Sequence, residues 1–296
     1  MKQVRPKKNL GQHFLTDLNI AKRIADTVDA CPDIPVLEVG PGMGVMTQYL
    51  VEKPRPFKVV EIDRESVAYL QENFPEFTRT EEGVRRKEDT LNAESRRNGN
   101  LLSPSSFLLS RGIISADFLK MDLREVFDGQ QFVLTGNYPY DISSQIFFKM
   151  LDNKDLIPCC TGMIQHEVAV RMASQPGNKQ YGILSVLIQA WYHVEYLFTV
   201  EPGVFNPPPK VQSAVIRMTR NEVTDLGCDE QLFRRVVKAT FNQRRKMLRV
   251  SLRQIFDAAH PAPAGFFDDE MMTLRPEQLS IPEFVTLTNK VAKALA

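Results

Sequence analysis

No stretch of the 296-residue sequence approaches the roughly eighteen consecutive apolar residues of a membrane-spanning helix, which argues against a helical membrane protein. The basic N-terminus (Lys2, Arg5, Lys7, Lys8) lacks the apolar core of a signal peptide, so a cytoplasmic protein with no membrane partner is expected. Cysteine and histidine are scarce, with four of each. Cys31, Cys159, Cys160 and Cys228 fit neither a C-x-x-C pattern nor a secreted disulfide framework, and the histidines show no ligand spacing; no structural metal is expected. An excess of one charge is also missing. The formal net charge is only +1, so bulk electrostatics announce no nucleic-acid partner. There is no internal repeat. What is present is ordinary for a soluble globular chain, 43% hydrophobic and 25% charged, and long enough for one large domain plus a small one.

The distribution of charge says more than its sum. Between positions 234 and 253 stand eight basic residues, Arg234, Arg235, Lys238, Arg244, Arg245, Lys246, Arg249 and Arg253, and no acidic one. A basic face of that density can track phosphates; the alternative is a solvated helix face.

The stretch around which the chain is organised is L-T-G-N-Y-P-Y, residues 134–140. Phe132, Val133 and Leu134 read as a short buried strand, and Gly136-Asn137-Tyr138-Pro139-Tyr140 punctuates its C-terminal end. In an open α/β sheet, function collects outside the carboxyl ends of the strands. An amide acceptor, a rigid proline and two aromatic rings suit a flat, amine-bearing ring such as adenine. A proline turn packed by two tyrosines is the structural alternative.

Taken in order, G-Q-H-F-L at 11–15 leads into a helix with Asp17 as N-cap and Ile20, Ile24 and Val28 on one face. A strand, Val36-Leu37-Glu38-Val39, then runs into Gly40-Pro41-Gly42-Met43-Gly44 and a helix through Met46, Tyr49 and Leu50. This is the arrangement that lets backbone approach a ligand closely. The spacing is G-x-G-x-G; the dinucleotide pattern would need glycine where Val45 stands. A second strand over 57–62 ends at Glu61-Ile62-Asp63, about twenty residues on, where an acidic residue can accept from ribose hydroxyls. A helix over 64–73 should hand over to a third strand within a few residues, yet the next good one is 113–116, before Asp117. Residues 78–112 are therefore an insertion or a wrong assignment, and their Glu/Arg/Ser/Asn content around 81–100 suggests a surface insertion. Further on come an apolar helix at 142–151, strands at Met163-Ile164, within 192–199 and at 211–218, an extended F-N-P-P-P loop from Phe205, a linker at 221–227, and a helical remainder divided near 261–265. Three successive strand ends thus offer Glu61, Asp117 and Asn137 beside a glycine turn, which describes a cofactor cleft.

At this point the residues match a family. G-Q-H-F-L (11–15), E-V-G-P-G-M-G (38–44), E-I-D (61–63), A-D (116–117), G-N-Y-P-Y (136–140), F-N-P-P-P-K-V-Q-S-A-V (205–215) and F-N-Q-R-R-K-M-L (241–248) occur in order, and the chain resembles the small-subunit ribosomal RNA adenine dimethyltransferases over nearly its whole length except 78–112. The resemblance implies a Rossmann-like α/β class I methyltransferase domain over 1–220 and a small helical RNA-docking domain over 221–296. It implies S-adenosylmethionine as cofactor, and two methyl groups placed on each of two adjacent adenosines near the 3′ end of 16S RNA in a small ribosomal subunit precursor. The chain is expected to act as a monomer. The cofactor is expected against His13, Leu15, Gly40, Gly42, Glu61, Asp117 and Asn137, with Glu61 on the ribose and Asp117 on the adenine amine. Two positions depart from the family: His13 stands where Asn is usual, and Tyr138 where Leu or Ile is usual.

For the chemistry, Asn137 and a backbone carbonyl from Tyr138 or Pro139 are expected to accept the two hydrogens of the target amine, and Tyr140 to stack on the extruded base. Phe205 is expected either as a second aromatic wall or as a loop anchor in the core, and Arg244, Arg245 and Lys246 as RNA contacts. Three rivals stand beside this reading: a resistance-type methyltransferase of large-subunit RNA, a non-catalytic assembly or transcription factor with the same fold, and a nicotinamide-dependent oxidoreductase.

Overall fold

The computed structural model describes Lys7 and residues 12–77 and 111–296. Of the expected insertion, only Arg111 and Gly112 fall among the described residues, and they open a strand.

Among the described residues the first elements are Phe14–Leu15 (β1) and the helix Leu18–Ala25 (α1). Asp17 caps α1, accepting from the N–H of Asn19 at 2.9 Å and of Ile20 at 3.1 Å. There follow Val36–Val39 (β2), Thr47–Leu50 (α2), Phe57–Glu61 (β3), Arg64–Asn73 (α3), Arg111–Ser115 (β4), Val133–Asn137 (β5), Ser143–Asp152 (α4) and Cys159–Gln165 (β6). The chain continues through His166–Ala173 (α5), Ile183–Gln189 (α6), Tyr192–Val200 (β7), Phe205–Asn206 (β8), Ser213–Arg220 (β9), Glu230–Asn242 (α7), Leu248–Ser251 (α8) and Ile281–Leu295 (α9).

Seven strands form one sheet in the order β4-β3-β2-β5-β6-β9-β7. The first five are parallel and β9 runs antiparallel to β6. Every residue of β2 is buried, which is why its sequence is a continuous apolar run broken only by Glu38. From β2 the chain steps outward to β3 and β4, then resumes on the other side with β5. That reversal opens a crevice beyond the carboxyl ends of β2 and β5, the place where ligands bind in such sheets.

Three expectations move. The third strand starts at Arg111 because β4 pairs along the whole of β3, with Phe57 opposite Arg111. The fifth, expected at Met163-Ile164, extends back to Cys159, since Cys159, Cys160 and Thr161 are equally buried. Cys31 and Cys159, 128 positions apart, form a disulfide with their Cα atoms 5.9 Å apart, a pairing that cysteine spacing did not suggest. The segment after α1 packs on β6 and brings them together.

The chain divides into two compact units. The described residues up to His166, with Leu197–Thr219, form one; Glu167–Tyr196 with Arg220–Ala296 form the other. The second therefore takes in 167–196, which the sequence division at 220/221 left with the first. Its apolar helix α6 packs on α7, and the core there gathers Phe233, Val236, Val237, Phe241, Phe284 and Leu287. Asp229 caps α7, and Ser280 with Glu283 form a capping box on α9.

Candidate active site

A cleft of about 240 Å³ lies in the first unit, at the carboxyl ends of β2, β3, β4 and β5. His13, Leu15, Gly40, Gly42, Glu61, Asp117, Asn137, Tyr138, Pro139 and Tyr140 all line it.

The glycine turn forms its floor. Gly40, Gly42 and Gly44 have φ of 67°, 56° and 77°, conformations that side chains rarely adopt. At Gly44 space is also decisive, because a β-carbon there would lie 2.4 Å from the Phe74 ring. Glu61 stands beneath the turn, 4% exposed, accepting from the N–H of Asp63 at 2.9 Å and of Gly42 at 3.1 Å. Burial raises its pKa, and the N–H groups of Asp63, Gly42 and Ile62 pull it partly back. Beside it Ile62 is 53% exposed while lining the cleft, an apolar surface suited to a flat ring. Asp63 points away, capping α3 and pairing with Lys7 at 2.5 Å.

Glu38 was not singled out by sequence reasoning as a site residue. It lines the cleft at 1% exposure, and burial pushes its pKa up to about 8. The Thr47 hydroxyl donates to it at 2.7 Å and opposes that rise, while the neighbouring Glu61 charge adds to it. The available signal was an acid inside an otherwise apolar buried strand, a residue type almost never buried without purpose.

Asp117 follows β4 and accepts from the Leu119 N–H at 3.0 Å. The Asp117–Met121 loop is tied from α4, where the Lys149 ammonium donates to the carbonyls of Leu119 at 3.1 Å and Met121 at 2.5 Å and lies 5.7 Å from the Phe118 ring centroid. Burial lowers the Lys149 pKa, with Asp117, Asp122 and Asp152 acting against it. Nothing in the sequence linked Lys149 to that loop.

The N-Y-P-Y segment divides its labour between backbone and side chain. Asn137 donates through Nδ2 to the His13 carbonyl at 3.3 Å, which uses one of the amide's two N–H groups and fixes its orientation, with Oδ1 as its acceptor. Tyr138 is 1% exposed, its hydroxyl 3.1 Å from both Cys160 Sγ and the Thr161 carbonyl and its ring edge-on to Phe147, so it meets the cleft through its backbone. The Pro139 carbonyl accepts from the Ile142 N–H at 3.2 Å. The Tyr140 hydroxyl bonds Ser213 Oγ, and its ring stacks on His13 with centroids 5.5 Å apart.

Two expectations are corrected by placement. Phe205 does not line the cleft: it pairs with Leu15 across β1 and β8 and is 4% exposed within the hydrophobic core, so it is a loop anchor rather than an aromatic wall. The basic run is not one helix face. Arg234, Arg235 and Lys238 lie on α7, Arg244, Arg245 and Lys246 in the turn after it, Arg249 on α8 and Arg253 in the following 3-10 turn. Arg244 is partly engaged, donating to the Asn178 carbonyl at 3.2 Å and facing Glu277 at 3.8 Å, whereas Arg245 and Lys246 are exposed.

The pattern characteristic of ribosomal RNA adenine dimethylases matches residues 3–98 and 107–280. The chain belongs to that family. It is 61% identical over 292 residues to the ribosomal RNA small subunit methyltransferase A of Phocaeicola vulgatus, covering 99% of this chain and 91% of that one. The same-named protein of Flavobacterium johnsoniae is 46% identical over 291 residues, covering 98% and 97%. Among solved structures, a dimethyladenosine transferase from Plasmodium falciparum superimposes with a TM-score of 0.70 at 20% identity, over 95% of this chain and 98% of that one. The 23S rRNA methyltransferase ErmE does so with 0.55 at 23% identity, over 94% and 99%. The class I methyltransferase fold follows, and the enzyme is an S-adenosylmethionine-dependent rRNA adenine dimethyltransferase, which removes the oxidoreductase and non-catalytic readings. The cleft fits that cofactor: bare backbone at the turn, a buried carboxylate hydrogen-bonded to that turn, and an exposed apolar side chain beside the carboxylate.

Proposed function

We propose that the enzyme dimethylates two adjacent adenosines near the 3′ end of small-subunit ribosomal RNA, with Asn137 as the residue that receives the target amine. The observation that carries the reading is the orientation of the Asn137 amide, held by the His13 carbonyl so that Oδ1 is its acceptor at the end of β5. The relatives at 46 to 61% identity that carry the small-subunit name support the choice of RNA.

In this reading Glu61 accepts from the cofactor's ribose hydroxyls, Asp117 from its adenine amine, and Ile62 covers one face of the ring. The bound cofactor supplies an already activated methyl group. The protein's task is therefore position and polarity, and holding donor and acceptor in line can supply about 7 to 11 kcal/mol of barrier lowering. The target amine is a poor nucleophile because its lone pair is delocalised into the ring. Asn137 Oδ1 accepts one of its hydrogens and the Tyr138 carbonyl the other; the Pro139 carbonyl is already engaged by Ile142. Both acceptors stabilise the positive charge that develops on nitrogen as the methyl group arrives. Tyr140 stacks on the base, and the exposed Arg245 and Lys246 meet RNA phosphates.

The test is incubation with labelled S-adenosylmethionine and unmethylated small subunits, followed by nucleoside analysis. Dimethyladenosine in the small-subunit RNA is the expected product. Label only in large-subunit RNA overturns the choice of substrate.

A further inference from the structure

The reading above places a base against Tyr140, and the surroundings of that ring go further. Two contacts hold it. Its hydroxyl is bonded to Ser213 Oγ, and Ser213 is fully buried at the first position of β9, in register with Gln165 of β6. Its ring stacks on the His13 imidazole at a 28° interplanar angle. The imidazole is fixed in turn, because Nδ1 lies 2.8 Å from the Pro207 carbonyl; a carbonyl only accepts, so Nδ1 carries the proton. The backbone on either side is anchored too: Thr16 donates from its N–H at 2.8 Å and from its hydroxyl at 2.9 Å to the Val204 carbonyl, and Phe14 and Leu15 pair with Asn206 and Phe205.

We propose that His13 and Ser213 are positioning residues for the target base, forming with the 204–207 segment a clamp that locks the Tyr140 ring as one layer of an adenine–Tyr140–His13 stack. This rests on the assignment of the N-Y-P-Y segment to the target base. It departs from the expectation that His13 contacts the cofactor: the imidazole's hydrogen bond goes to Pro207 and its face to Tyr140, and neither is a cofactor group. The asparagine usual at this position has no ring to contribute a third layer. An unrestrained tyrosine would sample several rotamers, and a base stacked on it would share that motion. In-line transfer tolerates little displacement of the acceptor nitrogen, so the clamp acts on the rate of transfer and not on cofactor affinity. Asn137 is served by the same residue, since its amide donates to the His13 carbonyl, but that bond is made by backbone and survives side-chain replacement.

Two His13 variants separate the contributions. His13→Phe keeps the ring and loses the bond to Pro207; His13→Asn keeps a polar side chain and loses the ring. Single-turnover methyl transfer to unmethylated small subunits at saturating S-adenosylmethionine is expected to fall about two- to tenfold in His13→Asn, the size of one aromatic pair, and to stay nearer wild type in His13→Phe. Ser213→Ala is expected to slow transfer similarly, with Ser213→Thr restoring part of it. Combined with Tyr140→Phe, Ser213→Ala should have little further effect, because either change breaks the same bond. In all variants calorimetric affinity for S-adenosylmethionine should stay within about twofold, which a general loss of structure would not allow.

If His13→Asn instead weakens cofactor binding while transfer at saturation is unchanged, His13 serves the cofactor and the clamp is wrong. Equal rates for His13→Asn, Ser213→Ala and an active wild type likewise overturn it. An inactive wild type is a separate outcome and counts against the proposed function.

Discussion

The Tyr138 ring occupies the volume in which a side chain on Gly162 would stand: a β-carbon at Gly162 would lie 2.7 Å from that ring and 2.3 Å from the Gly136 carbonyl. Gly162 also has φ of 147°. Two neighbouring strands thus carry glycine where a large ring passes between them. Gly162→Ala is therefore expected to destabilise the protein by roughly 2 to 4 kcal/mol through overpacking and backbone strain. Urea denaturation measures it. A change below about 0.5 kcal/mol would mean the ring moves aside freely.

The Asn137 acceptor is tested by Asn137→Ala. Methyl transfer should slow by about 10² to 10³, the scale for losing one transition-state hydrogen-bonding partner, while binding to the small subunit persists. Undiminished transfer in a folded variant would put the target amine elsewhere.

Lys149 ties the Asp117–Met121 loop from the helix that follows the N-Y-P-Y segment. Two hydrogen bonds from one ammonium, each worth about 1 kcal/mol net, imply that Lys149→Met raises the dissociation constant of S-adenosylmethionine by roughly 3- to 30-fold. Lys149→Arg should recover part of this. The maximal rate at saturating cofactor should change little, and an affinity equal to wild type would show that the loop keeps its shape alone.

Glu38 makes stability depend on pH. Its folded pKa, about 8, lies above the ordinary 4.5. Between these values the folded state holds a proton that the unfolded state has released, so its contribution is fully present below pH 4.5 and is lost as pH rises towards 8, with a slope of at most about 1.4 kcal/mol per pH unit. Glu38→Gln keeps an acceptor for Thr47 without an ionisable proton. Its melting temperature relative to wild type should climb between pH 5 and 8; a constant difference would show that Glu38 is ionised throughout.

For RNA docking, replacing Arg245 and Lys246 by Gln should lower the salt slope of RNA affinity by up to about two, if each meets a phosphate, and leave cofactor affinity unmoved. Arg244 is omitted because its hydrogen bond to the Asn178 carbonyl and its ion pair with Glu277 give it a structural role. An unchanged slope would mean that the two side chains are merely solvated.

Local features were legible along the chain because they depend on near neighbours. Asp17 as a helix cap, the glycine turn after β2 and the polar residues at three strand ends follow from residue type, periodicity and spacing, and all reappear in the structure. The order of the motifs pointed to the family for the same reason. Tertiary structure decided what one-dimensional spacing does not carry. Phe205, beside three prolines, reads equally as a wall or an anchor until pairing of β8 with β1 buries it. Cys31 meets Cys159 across 128 residues, Lys149 reaches a loop 28 to 30 residues earlier, and Ser213 holds Tyr140 across 73. The basic residues at 234–253 form one run in sequence but are divided by the turn after α7, because helix periodicity ends at Asn242. Each of these contacts joins segments far apart in sequence, whose meeting depends on sheet order and crossover packing, and neither is encoded in the residues immediately beside them.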